Sequence, residues 1–179
     1  LEGVPKAHEP AVKPDTSLKP SDPLSILKNA PDSFKGRKLG IVMTDGIDDA
    51  LLEALVKAVK AEGGMVEKIA PAVGGINTAG GNKVPADQKI DGAPSVLYDA
   101  VAVLATAEGT EMLKGMHPAK CFAADAFAHA KFIALTPDAE ALFTAVSAGP
   151  PDAGMHVLSG PKDAAPFVKA CRALRYWER

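Results

Sequence analysis

The sequence predicts an α/β fold in three layers, a mostly parallel β-sheet with helices on both faces. Short apolar runs alternate with segments of helical apolar spacing through most of the chain, which is typical of strand–helix–strand units. Hydrophobic residues make up 47% of the chain and aromatic residues only 5%, a balance that favours a closely packed core rich in Ala and Val. A length of 179 residues suffices for one well-buried domain and a tail.

Residues 1–35 are predicted to form a proline-rich linker, and residues 36–179 the domain. Charges are interleaved in the linker with little apolar periodicity, which indicates an extended segment. Its prolines are Pro5, Pro10, Pro14, Pro20, Pro23 and Pro31. We expect the short apolar cluster of Leu24, Ile26 and Leu27 to dock the end of the linker onto the domain or onto a partner.

The first half of the domain begins with a short apolar run at 37–44, predicted to be a central parallel strand. Apolar residues at helical spacing follow over 51–59, and the glycine pair at 63–64 ends that helix. Residues 65–70 form the second predicted strand. The glycine-rich segment 73–91 lacks the GK[ST] ending of a phosphate loop, so it is interpreted as a hairpin at the flank of the sheet.

The second half continues the alternation, and its most apolar run, 100–106, is predicted to be a central strand. The remaining predicted elements are a short helix at 108–114, a strand at 120–124, a helix at 126–135, a helix at 138–148 that begins after Pro137, a short strand at 155–158 and a closing amphipathic helix at 167–174.

The predicted break from strand to helix near residue 125 is the most informative feature. Such a junction carries the nucleophile in many α/β enzymes. The residues at the break are Asp125, Ala126 and Phe127, and none of them is Ser or Cys. The sequence therefore suggests an enzyme architecture that lacks its reactive atom.

The order of these segments resembles the DJ-1/PfpI superfamily, which shares a flavodoxin-like core with class I glutamine amidotransferases. The run TDGIDDALLEAL at 44–55 is similar to the family's ADGFEDxEL segment. The run at 84–105 is similar to the segment that enters the family's next central strand, and the predicted break at 124–128 falls where the family has A-[IV]-C-[HA]-G. The resemblance implies a flavodoxin-like sandwich.

A closer resemblance is to the C-terminal domain of large-subunit haem catalases. The segment DPLSILKNAPDSFKGRKLGIVMTDGID at 22–48 is similar to the joint between catalase core and C-terminal domain, and ADAFAHAKFIAL at 124–135 to a helix start of that domain. This resemblance covers the chain from about Pro20 onward.

The resemblance implies a degenerate site. The family's nucleophilic Cys falls at Ala126 or one position either side, and the His that often follows it falls at Phe127. The family's Glu falls at Asp48, and its glycine-rich oxyanion turn becomes Thr-Ala-Glu-Gly at 106–109. Because thiolate chemistry needs a thiolate, no catalytic residue is expected near Asp48, Asp125, Ala126 and Phe127.

Helix capping is the preferred interpretation of the acidic residues, with Asp125 capping the helix at 126–135 and with Asp48 and Asp49 near the start of the earlier helix. Cys121 is expected inside a buried strand, where burial suppresses thiol reactivity. The alternative left open is a thiol enzyme that uses Cys121 with Asp48 or His129 as base.

Other functional classes receive little support. A net charge of −2 gives no sign of nucleic-acid or membrane binding, and neither a membrane-spanning run nor a signal peptide is visible. Cys121 and Cys171 form no CxxC motif and are interpreted as free thiols, although a disulfide stays possible. No metal-binding spacing of His residues is present. Arg172 and Tyr176 share the R-x-x-x-Y spacing of a haem-ligating Tyr, but no pocket sequence accompanies them.

We therefore predict a non-catalytic accessory domain of a large-subunit catalase. The parent would decompose hydrogen peroxide as a haem tetramer, and this domain, with no cofactor of its own, would contact the catalase core and neighbouring subunits. A stabilising role is expected, and a chaperone role toward unfolded clients is suggested by resemblance. The alternatives are a DJ-1/PfpI-type hydrolase or glyoxalase that uses Cys121 and, with less support, a nucleotide-binding module. The sequence leaves the cellular compartment open.

Overall fold

A computed structural model of the chain describes residues 7–146 and 148–179. The chain divides into two compact units, Leu1–Ala30 and Pro31–Arg179. Pro5 of the predicted linker and Ser147 of the predicted helix at 138–148 lie outside the described residues. The linker boundary at residue 35 stays a prediction.

The described part of the first unit is extended, with one 3-10 turn at Asp22–Leu24 that has proline in its first positions. Lys28 forms an exposed ion pair with Asp22 at 2.5 Å. The predicted apolar cluster is exposed, since Leu24 shows 86%, Ile26 54% and Leu27 65% of its surface. Its docking stays a prediction.

Helices and strands alternate along the described residues of the second unit. The strands are β1 Lys38–Met43, β2 Met65–Ala70, β3 Ile76–Asn77, β4 Lys83–Val84, β5 Gln88–Lys89, β6 Ala100–Leu104, β7 Ile133–Leu135 and β8 Met155–Val157. The helices are α1 Asp49–Ala61, α2 Ala107–Gly115, α3 His117–Ala128, α4 Glu140–Ala145 and α5 Ala164–Ala170.

Six of these strands form one sheet in the order β5-β2-β1-β6-β7-β8, and every pair in it is parallel. The pair β3–β4 forms a separate antiparallel hairpin, as the glycine-rich segment predicts. The predicted α/β class with a parallel sheet is confirmed.

The sheet separates two hydrophobic cores because side chains alternate along each strand. On one face Leu39, Ile41 and Met43 of β1 pack with residues of α1 and α5. On the other face Val42 packs with residues of α3 and α4. Helices therefore cover both faces, which gives the three predicted layers.

Helix α1 follows the pattern predicted for it. Its buried residues Leu51, Leu52, Leu55 and Val59 lie at helical spacing. The chain leaves the helix through Gly63, whose φ of +72° lies in the left-handed region that glycine adopts without strain.

The region 117–135 differs from its prediction in both elements. Residues 120–124, predicted as a strand, belong to helix α3, and the predicted helix at 126–135 contains strand β7. Pro118 lies in the first turn of α3, where proline is favoured, and the residues that follow are rich in Ala, the strongest helix former. Because one face of α3 is buried, its sequence contains a short apolar run, and such a run also predicts a buried strand.

Candidate functional site

The carboxyl ends of parallel strands form the edge where α/β proteins bind ligands. In this domain β1, β6 and β7 end side by side, at Met43, Leu104 and Leu135. Residues of a ligand site in this fold are therefore expected at this edge.

The strand-to-helix junction lies at Thr136, ten residues beyond the predicted position at Ala126. Asp125 lies inside α3, where its carbonyl accepts the His129 N–H at 3.0 Å, so its predicted role as an N-cap is wrong. Ala126 is fully buried in the core, and Phe127 is half-buried in the last turn of the helix. A nucleophile at position 126 would face the protein interior.

The observed junction is built around the hydroxyl group of Thr136. This hydroxyl donates to the carbonyl of Ala105 at 2.7 Å and accepts the N–H of the same residue at 3.0 Å. The backbone of Thr136 is extended, with φ −70° and ψ 155°, and is therefore unstrained. Its side chain joins the ends of β6 and β7 and has its hydrogen bonds made within the domain.

The acidic side chains after β1 hold the β3–β4 hairpin. Asp45 accepts the backbone N–H of Asn77 at 2.7 Å. Asp49 accepts from Thr78 Oγ1 at 2.6 Å, from the Asn82 side-chain amide at 2.9 Å and from the backbone N–H of Gly80 at 3.0 Å. These hydrogen bonds, that of Thr78 foremost, hold the pKa of Asp49 below its usual value.

Asp48 is the N-cap of α1, and its Oδ1 accepts the backbone N–H of Ala50 at 2.9 Å. This is the capping role that its position predicts. The carboxylate therefore stabilises the start of the helix.

At the turn after β6, helix α2 packs closely against Thr44, the residue that follows β1. Thr106 caps α2 by accepting the Gly109 N–H at 3.1 Å. A Cβ at Gly109 would lie 2.0 Å from Thr44 Oγ1, so glycine is required for this approach. Thr44 and Thr110 are buried, and neither hydroxyl has a hydrogen-bond partner among the described residues.

Cys121 lies on the exposed surface of α3, contrary to the predicted buried strand. Its Sγ lies 3.4 Å from Nε2 of His117, one helical turn earlier. The predicted base His129 lies eight residues further along, which is about 12 Å along a helix axis. The spacing H-x-x-x-C reveals this pair only once the segment is assigned as a helix.

The other thiol, Cys171, is free and buried, and burial raises its pKa above the ordinary value.

Lys131 is a buried cation that the sequence analysis did not identify as such. Only 2% of its surface is exposed, and its Nζ donates to the carbonyls of Ser95, at 2.9 Å, and Tyr98. Burial, aided by the nearby Arg175, lowers its pKa to about 8. Its hydrogen bonds attach the loop before β6 to the start of β7.

The R-x-x-x-Y spacing does not fit a haem site. The hydroxyl of Tyr176 donates to Glu178 at 3.0 Å, and Arg172 is bonded to both carboxylate oxygens of Glu62. The ring of Tyr176 packs edge-on against Phe132, with centroids 6.2 Å apart. No haem chemistry is therefore assigned to these residues.

Concave surfaces lie beside the strand ends and on the α1 face. A groove of about 510 Å³ includes Glu108, Thr110, Pro137 and Asp138, and a smaller one of about 120 Å³ includes Asp45. A larger groove of about 830 Å³ lies along α1 and β2. Cys121 and Asp48 line none of the three.

Within the described ranges 7–146 and 148–179, no three His, Cys, Asp or Glu side chains come together as a possible metal site. The helices of the same residues include none with the length and apolarity needed to cross a bilayer.

Known proteins share both the sequence and the fold. Residues 35–179 match the family described as the C-terminal domain found in long catalases. Catalase C of Rhizobium meliloti is 44% identical over 180 residues, which cover all of this chain and 26% of the relative. Catalase HPII of Pseudomonas putida is 30% identical, covering 98% of this chain and 24% of the relative. The chain thus spans about a quarter of the length of the curated relatives it matches.

Solved structures of DJ-1 proteins have the same fold. Oxidised DJ-1 of Toxoplasma gondii has a TM-score of 0.64 at 15% identity and covers 80% of this chain and 93% of its own. DJ-1beta of Drosophila melanogaster has a TM-score of 0.66 at 11% identity, with 80% and 92% covered. At these identities the likeness concerns the fold alone. The match over residues 35–179 shows that this chain belongs to the family of C-terminal domains found in long catalases.

Proposed function

We propose that this chain serves as a non-catalytic accessory domain of a long catalase. The parent decomposes hydrogen peroxide to water and oxygen as a haem tetramer, and the haem belongs to the part of the parent outside this chain. The domain contacts the catalase core and neighbouring subunits and stabilises their assembly. The proposal is supported by the match of this chain to long catalases, which are roughly four times longer than this chain.

One observation carries the non-catalytic part of the proposal. The side chain at the strand-to-helix junction is Thr136, and its hydroxyl both donates to and accepts from the backbone of Ala105. A nucleophile needs a base that takes its proton, and this hydroxyl gives its proton to a carbonyl instead. The acidic side chains Asp45, Asp48 and Asp49 are likewise bonded to the domain's own backbone.

The test compares the full-length parent with a parent that lacks residues 31–179. We expect the same initial rate of peroxide decomposition per haem and a shorter half-life of activity at elevated temperature. Tetramer content, followed by light scattering, is expected to fall in parallel with activity. A truncated tetramer with intact haem but little activity would contradict the non-catalytic role, and unchanged half-lives would contradict the stabilising role.

A holdase role is the finer proposal. Large apolar side chains of residues 31–179 that expose about half of their surface or more are Met65, Val73, Val96, Leu97, Met112, Val157 and Trp177. Exposed apolar surface is what a holdase offers to unfolded clients. Light scattering of a heat-labile client should be suppressed by a several-fold molar excess of this chain. Scattering equal to that with bovine serum albumin would exclude the role.

A thiol enzyme that uses Cys121 is the second candidate, favoured by the exposed Sγ at 3.4 Å from His117 Nε2. In this version His117 replaces Asp48 or His129 as the base. It requires hydrolase or glyoxalase turnover that disappears in Cys121→Ala and falls strongly in His117→Ala. Turnover that both variants retain would reject it.

A further inference from the structure

The groove of about 830 Å³ lies away from the strand ends, on the α1 face beside the edge of the sheet. Its lining includes Val56, Val66 and Val84 together with Lys57, Lys60 and Lys68. The three valines are partly buried and pack against the core beneath α1. The groove therefore combines an apolar floor with cationic walls.

The edge of strand β2 is open within this groove. Strand β5 pairs with β2 only at Ile69 and Ala70. One residue earlier, Lys68 donates its N–H to the Asp87 carboxylate and accepts the Asp87 N–H, both at 2.8 Å.

Because backbone groups alternate in direction along a strand, Val66 points its N–H and C=O the same way as Lys68. Among the described residues, no hydrogen bond uses these two groups of Val66. The edge at Val66 can therefore pair with another extended chain.

The lysines that line the groove form no ion pair with a carboxylate of the described residues. Lys57, Lys60 and Lys68 have no carboxylate within 4 Å among the described residues. The Asp87 carboxylate is bonded to a backbone N–H, and Glu53 lies one helical turn before Lys57. Since the whole chain carries a net charge of −2, this cationic cluster is a local feature.

We propose that this groove binds an extended segment of a partner polypeptide in which the side chains on the face toward the groove, every second residue, include both apolar residues and Asp or Glu. The segment adds to the sheet as a strand beside β2 and pairs with the N–H and C=O of Val66. Its apolar side chains rest on the valine floor, and its carboxylates meet the lysines. A helical segment would leave the open backbone groups of Val66 unpaired, so the edge selects an extended partner.

Two blocked seven-residue peptides serve as probes, Val-Ser-Glu-Ser-Val-Ser-Glu and the same sequence with Lys in place of Glu, so that Val and the charged residue share one face of the strand. Binding to the 15N-labelled chain is followed by amide chemical shifts and by hydrogen exchange. We expect saturable shifts at Val66 with the Glu peptide, at least tenfold slower exchange of that amide, and weaker binding at high salt. The double variant Lys57→Glu/Lys60→Glu should bind at least tenfold more weakly. The control Lys162→Glu/Lys169→Glu changes two exposed lysines outside the groove and should bind within twofold of the wild type.

Equal binding of the Lys peptide, or of the Lys57→Glu/Lys60→Glu variant, would overturn the proposal. So would exchange at Val66 that slows as the concentration of the chain alone is raised, since a second copy would then fill the groove. The experiment measures peptide binding to this chain and not the catalase activity of the parent, so it can fail or succeed independently of the proposed accessory role.

Discussion

Replacing Arg179 with Ala should destabilise the domain more than most single substitutions. Its guanidinium donates to both carboxylate oxygens of Asp152, at 2.6 and 2.9 Å, and to the carbonyls of Phe127, at 3.2 Å, and Lys131, at 2.9 Å. It also lies 4.3 Å from the centre of the Phe127 ring. The side chain is only 8% exposed, so these contacts are shielded from water.

The magnitude follows from what the substitution leaves behind. Breaking a fully buried ion pair costs about 3–5 kcal/mol, and the 21% exposure of the Asp152 side chain reduces that figure. Two carbonyls lose a donor, and the contact with the Phe127 ring contributes roughly 0.5–2 kcal/mol. We therefore expect Arg179→Ala to lower the free energy of unfolding by about 3 kcal/mol, or Tm by about 10 °C.

The pH dependence of this loss has a definite sign. Hydrogen bonds from Arg179 are the main reason that the pKa of Asp152 lies below its usual value. A carboxyl group with a lowered pKa stabilises the fold above its unfolded pKa of about 3.9 and ceases to do so as the pH falls through its folded pKa. The difference between wild type and Arg179→Ala should thus be full at pH 7 and shrink below about pH 3.9.

Urea unfolding followed by circular dichroism measures both effects. Arg179→Lys keeps the charge but loses the two-pronged geometry, so it should fall between wild type and Arg179→Ala. The exposed Lys162→Ala is the control and should change stability by less than about 0.5 kcal/mol. An Arg179→Ala variant as stable as that control would refute the reasoning.

Three further substitutions test other parts of the fold. Between pH 8 and pH 10.5, the free energy of unfolding of the wild type should rise by about 3 kcal/mol relative to that of Lys131→Met, because the folded state loses the Lys131 proton at a lower pH than the unfolded state does. Urea unfolding across this pH range measures the difference, and a difference that stays constant would contradict the prediction. Gly109→Ala should lower the unfolding free energy by about 1–3 kcal/mol through its clash with Thr44, whereas Gly115→Ala, in the same helix with open space around it, should not destabilise. Asp49→Ala should speed amide hydrogen exchange in the loop between β3 and β4, and unchanged exchange there would show that the carboxylate does not hold the hairpin.

The first half of the domain could be predicted because each apolar run there is short and bounded by turn residues. Strand β2 has the predicted bounds, and α1 ends before the predicted glycine pair at 63–64. The spacing of apolar residues there, every second residue in a strand and every 3.6 residues in a helix, depends only on residues that are close in the sequence.

Helix α3 could not be assigned this way, because an apolar run of that length is compatible with either a buried strand or a buried helix. The error moved the predicted strand-to-helix junction from Thr136 to Ala126 and placed Cys121 inside a strand. The family resemblance was nonetheless correct, since residues 35–179 match the C-terminal domain of long catalases.

Contacts between distant segments explain the rest of the differences. Lys131 looks like a surface lysine in the sequence, and its burial depends on a loop that lies 33 to 36 residues earlier. The open edge at Val66 likewise depends on where β5 stops pairing with β2. Neither feature has a local sequence signal.

The central claim is that this domain supplies no group to peroxide chemistry, and one measurement tests it directly. The rate of hydrogen peroxide decomposition per haem is measured for the full-length parent with Thr136→Val and Asp48→Ala, at a temperature where variant and wild type are both folded tetramers. We predict equal rates, because among the described residues both side chains bond to the domain's own backbone. A tenfold lower rate at full haem occupancy would contradict the account.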